Sequence, residues 1–120
     1  MIELNVYDGK IVMGMNAADN WSLMETMKRS DYWIHMKNTS SSHAIARIPK
    51  KFRKSAKTMD MYLEHAARMI CQQSSKRIKK DDKKVVFIYI EGKYVKKGNN
   101  VGEAILSKDP YEFSIDNPLL

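Results

Sequence analysis

A chain of 120 residues, 43% apolar and 29% charged, is sized for one folded domain, and no stretch approaches the roughly 18 apolar residues of a membrane helix. The single cysteine, Cys71, excludes an internal disulfide framework; with no basic head and apolar stretch after Met1, it predicts an intracellular, cytoplasmic protein. A net charge of +7 predicts a polyanionic partner, with nucleic acid, an anionic membrane surface and an acidic protein as the candidates.

The opening pattern predicts a β-hairpin. Asp8-Gly9 is a two-residue turn signal, and folding about it pairs Val6 with Ile11, Leu4 with Met13 and Ile2 with Met15, all apolar and all on one face. A short helix is expected from about Asp19 to Arg29, capped either by Asp19 or by Ser22, whose spacing to Glu25 is that of a capping box. Tyr32 to Lys37 alternates as a strand, Asn38 to Ser41 is turn material, and Ser42 to Ile48 reads as the return strand, ended by Pro49. A basic connection, Lys50 to Lys54, leads into the longest helix, from Ser55 or Thr58 to Gln73. Its buried stripe is Met59, Leu63, Ala66, Ala67 and Ile70, and the alanine pair lets it lie close to a sheet.

After a basic loop from Ser74 to Lys84, the continuous apolarity of Val85 to Ile90 predicts a central strand. Glu91-Gly92 is expected to turn the chain into a partner strand, Lys93 to Lys97, and Tyr111 to Ile115 forms the last strand. The expected fold is α+β: a mostly antiparallel sheet of about five to seven strands packed with about two helices, in a single domain over residues 1–120.

The charge is segregated. Sixteen of the 21 lysines and arginines lie between Arg47 and Lys97, against five of the 14 acids. Lys50, Lys51, Arg53, Lys76, Arg77, Lys79, Lys96 and Lys97 are therefore the candidates for neutralising phosphates, although a solvated lysine-rich surface would have the same composition. Trp33, His35, His43 and Arg47 carry groups that stack on unpaired bases, provided that their strands are neighbours. The alternatives stay open: Trp33 as a core aromatic, both histidines as hydrogen-bonded structural residues, and Asp31 as a turn or capping carboxylate.

Catalytic patterns fit poorly. Asp31 and His35 lie about 13 Å apart if both are on a straight strand, too far to share a metal ion. Ser42 and His43 point to opposite faces, Cys71 has no evident base, and no phosphate-binding glycine loop is present. No catalytic residue, metal site or cofactor is expected.

The order of these residues resembles a known family. Asp31-x-Trp33-Ile34-His35, then Ser42-His43-Ala44, Glu64-His65-Ala66-Ala67, Ser74-Ser75-Lys76-Arg77, Val86-x-x-Tyr89, Val95-Lys96-Lys97 and Gly102 follow the pattern of the NFACT-R domain. Upstream, Gly9-x-x-x-x-Gly14-x-Asn16 is similar to the family's opening. Ser41 stands where the family commonly has glycine, and Ile34 replaces an aromatic residue. The resemblance implies a non-catalytic RNA-binding module for tRNA or rRNA, with the ribosome and ribosome-associated quality control as the setting. Tail elongation by the chain alone is not expected, because the other NFACT domains and coiled coils are absent from it. Free-standing members, to which it is also similar, imply RNA processing, and one such group implies DNA. Other roles for the basic surface are docking an acidic or ribosomal protein, or serving as an accessory subunit of an RNA-modifying enzyme. Membrane insertion is not expected, and the oligomeric state is not legible.

Overall fold

The computed structural model describes residues 1–120. Strands β1 (Ile2–Val6), β2 (Gly9–Met13), β3 (Tyr32–Met36), β4 (Ala44–Arg47), β5 (Lys84–Glu91) and β8 (Tyr111–Asp116) form one sheet, ordered β1-β2-β4-β3-β5-β8, in which every pairing is antiparallel. Strands β6 (Val95–Lys97) and β7 (Ala104–Leu106) form a separate ribbon. Helices α1 (Ala17–Thr26) and α2 (Ala56–Gln73) complete an α+β architecture. No helix is long and apolar enough to cross a membrane.

The alternation of β3 and β4 sorts their residues onto two faces. One face carries Ile34, Met36, Ala44 and Ala46, joined by Ile11 and Met13 of β2 and Phe87 of β5; α2 packs there through Tyr62, Leu63, Ala66, Ala67 and Ile70. Four alanines, two on β4 and two on the helix, are all fully buried, which lets helix and sheet backbones approach closely. The predicted stripe is thus the core-facing one, but Tyr62 is its largest fully buried member. Its hydroxyl lies 2.5 Å from the Val6 carbonyl oxygen and 3.0 Å from that of Tyr7, fastening α2 to the first hairpin. The opposite face carries Trp33, Ile45 and Ile90, covered by α1 with its buried Leu23 and Met24.

Three local expectations need correction. The first hairpin turns one residue early: Tyr7 and Asp8 take the positive φ angles (42° and 64°), Leu4 pairs with Ile11, and Ile2 with Met13. Gly9 serves close approach instead, since a Cβ there would collide with the Arg47 carbonyl, the Tyr62 hydroxyl and Pro49. Helix α1 starts earlier than predicted because Asn16 is its cap: its side chain accepts from the Asp19 N–H, while Asp19 accepts from the Met15 N–H. It also stops short of Arg29, because the Lys28 N–H is taken by the Asp31 carboxylate. The strand after Gly92 does not pair with β5. A 3₁₀ turn (Gly92–Tyr94) carries the chain off the main sheet, and β6 pairs with β7, against α1.

Candidate nucleic-acid interface

Strand pairing sets the positions of the predicted ring-bearing residues. Trp33 lies opposite Ile45 on β4 and Ile90 on β5, so it sits on the central strands of the sheet under α1. Its indole Nε1–H donates to His43 Nδ1 at 3.2 Å, its ring stacks on His35 (centroids 5.4 Å apart, planes within 8°), and His35 meets His43 edge-on at 4.9 Å. The three rings do come together. They do so inside the protein: Trp33 and His43 are 3% and 4% exposed, so neither offers a face to a base, and only His35 is partly open. Burial depresses the basicity of both imidazoles; for His43, burial and then the neighbouring His35 bring the pKa down to about 3. The His43 backbone N–H donates to the buried Asn20 carboxamide oxygen at 3.1 Å, fixing the start of β4.

Asp31 and Arg47 form the second unit. The Asp31 side chain is buried, and it accepts from Arg47 Nε at 3.0 Å and from Arg47 Nη2 at 2.8 Å. One of its oxygens also caps the Lys28 N–H. The pair staples the entrance of β3 to the exit of β4, and the hydrogen bonds that the guanidinium donates to Asp31 raise its pKa further.

Arg47 nonetheless keeps 29% of its side chain exposed, and it faces a cleft of about 560 Å³ at this end of the sheet. Lys10, paired across the ladder with Arg47, shares the cleft with Lys28, Ser30 and Arg53. Arg53 is held in orientation: its Nε donates to the Ile48 carbonyl at 3.0 Å and its Nη2 to Ser30 Oγ at 3.3 Å. Lys51 stands beside the cleft, bridged to Asp8. Four cations thus line the cleft against two acids, Asp8 and Asp31.

The predicted phosphate-neutralising residues fall into three groups. Lys50, Lys51 and Arg53 precede α2 around a 3₁₀ turn, while Lys76, Arg77 and Lys79 follow it. An 18-residue helix, about 27 Å long, separates the two. Arg77 and Lys79 line a second cleft, of about 400 Å³, together with Lys37 and Lys84. Lys96 and Lys97 stand on β6; Lys97 bridges Glu25 and lies over the Trp21 ring at 4.7 Å.

The sequence model of the NFACT protein RNA-binding domain matches residues 5–108. The chain belongs to this family. Among solved structures it is similar to the C-terminal part of the fibronectin/fibrinogen-binding protein from Streptococcus suis, with a TM-score of 0.67 at 20% identity. The match covers 90% of this chain and 41% of that one, and at this identity it speaks for the fold alone. No curated protein matches the sequence.

Seen as an NFACT RNA-binding domain, the chain spends its motif residues on internal bonds. Asp31 and Arg47 clamp two strands, and Trp33 and His43 form one buried hydrogen bond. The opening motif is also structural: Gly14 is buried against Asn20, which leaves no room for a Cβ, and Asn16 caps α1. The residues that sequence reasoning passed over are Lys10, Lys28, Lys37 and Lys84. They lie outside the basic runs or in β5, and only strand pairing and loop closure bring them to the clefts.

Proposed function

We propose that the chain is a non-catalytic RNA-binding module that grips the sugar-phosphate backbone in the cleft formed by Lys10, Lys28, Arg47 and Arg53. The observation that carries the reading is the cleft itself, with two arginines whose guanidinium groups are fixed by protein hydrogen bonds before any ligand arrives. Guanidinium planes held in this way suit phosphate oxygens and lose little freedom on binding. Lys51, beside the cleft, and Lys50 extend the positive field. Lys76, Arg77, Lys79, Lys96 and Lys97 serve as outlying phosphate contacts for a ligand large enough to reach them. That breadth favours a structured RNA such as tRNA or rRNA, with the ribosome as the setting. Trp33 and His43 act indirectly in this reading, by holding β3 and β4 in register.

A fluorescence-anisotropy titration of bulk tRNA across a salt series tests the reading. Affinity is expected to fall steeply with salt, since several phosphates are neutralised. Binding that is absent at low salt, or indifferent to salt, would reject it.

A further inference from the structure

Helix α2 packs on β2, β3 and β4, and the same face of the sheet continues beyond it across β5 and β8. A row of tyrosines crosses this region. Tyr89 on β5 lies opposite Tyr111 on β8 with ring centroids 5.3 Å apart, and Tyr32 on β3 follows diagonally at 6.2 Å. Phe113 supports the row from the core side, 5.6 Å from Tyr89. Exposure rises outward: Tyr32 and Tyr89 are half-buried, and Tyr111 is 45% exposed. The two ends of the row are cationic. Lys108 Nζ lies 5.6 Å from the Tyr111 ring, while Arg53, which lines the cleft, donates to Ser30 Oγ two residues before Tyr32.

We propose that Tyr32, Tyr89 and Tyr111 form a stacking platform for unpaired bases of an RNA strand whose backbone runs from the cleft at Arg53 toward Lys108. The inference rests on the RNA-binding reading and adds to it the class of RNA preferred, a single-stranded stretch over a duplex. Every base has a π-face, so a row of rings binds strand without demanding a sequence. Glu91 lies opposite Tyr32 on the β3-β5 ladder, and burial first, with Asp60 and Glu91 contributing, raises the Tyr89 pKa. Carboxylates there repel phosphate and accept from exocyclic amines, which orients a strand with bases toward the sheet and backbone toward Arg53 and Lys108. The platform also supplies the aromatic contact that the buried Trp33 and His43 cannot.

The test compares a short unstructured RNA oligomer, the same oligomer with abasic positions, and a duplex of equal length. The wild-type chain is expected to bind the unstructured oligomer more tightly than its abasic counterpart. Tyr111→Ala, at an exposed edge position, should weaken binding of the unstructured oligomer about tenfold, the loss of one stacked base, and leave duplex binding and the salt slope unchanged. Tyr111→Phe keeps the ring and should bind like wild type. Equal affinity of Tyr111→Ala and wild type for the unstructured oligomer, with wild type still binding RNA, would overturn the platform and spare the RNA reading. A wild-type chain that binds none of the three probes would overturn both. Weakening by Tyr111→Ala with no effect of Arg53→Ala would uphold the stacking at Tyr111 and overturn the path of the strand from Arg53.

Discussion

Acidification should destabilise this fold well before its carboxylates titrate. The Trp33 indole donates to His43 Nδ1, so that nitrogen must keep its lone pair. A proton there would face one N–H with another and put a charge at a site 4% exposed, beside a second imidazole. With a folded pKa of about 3 and an unfolded value near 6.5, the unfolded chain takes up the proton first. Stability is therefore whole above pH 6.5 and declines as pH falls toward 3. By linkage the loss attributable to His43 is about 2 kcal/mol at pH 5, and His35, shifted the same way by burial, adds to it. Urea unfolding followed by circular dichroism at pH 7.5 and pH 5 should show a midpoint lower by roughly 1 M at the acid pH. His43→Gln, which keeps an acceptor for the indole and takes up no proton, should lose at least half of that drop. An unchanged wild-type midpoint, or the full drop in the variant, would refute the reasoning.

Other substitutions have equally definite outcomes. Arg47→Ala leaves the buried Asp31 carboxylate without its cation and should cost about 3 kcal/mol or more, whereas Asp31→Ala leaves a partly exposed guanidinium that water can solvate and should cost less; paired denaturation curves read the difference, and the reverse order would contradict the clamp. Tyr62→Phe removes the hydroxyl that reaches the Val6 and Tyr7 carbonyls and should lower stability by about 1–2 kcal/mol, measured by thermal melting. Arg53→Ala should leave the fold intact, weaken RNA binding severalfold and flatten the salt slope by about one; an unchanged slope would remove Arg53 from the phosphate contacts.

Much of the fold is legible in the sequence because period and burial agree. Met59, Leu63, Ala66, Ala67 and Ile70 are spaced for one helix face, and of the two starts the pattern allows, Ser55 and Thr58, the structure uses Ser55 as the cap. Where the reading fails, a residue answers to a distant neighbour. Gly9 stands after Asp8 like a turn glycine, yet it is small to admit Arg47, Pro49 and Tyr62. The strand Ala104–Leu106 has no alternation of its own and exists because β6 offers it an edge. The site shows the same division. Asp31, Trp33, His35, His43 and Arg47 do converge, but motif order carries no information on which side of a side chain meets solvent. Their ring faces and carboxylate oxygens are turned toward each other. The tyrosine row escaped notice for the opposite reason: Tyr32, Tyr89 and Tyr111 lie far apart in sequence, and only the β3-β5-β8 register places them side by side.

Ultraviolet crosslinking of the bound chain to RNA, followed by mass-spectrometric mapping of the attached residues, addresses the location of the interface most directly. Adducts should concentrate at the end of the sheet that holds Lys28, Arg47 and Arg53, and continue onto Tyr32 and Tyr111. Adducts confined to the outer surface of α2 or to the β1 edge, with that end of the sheet unmarked, would contradict the account.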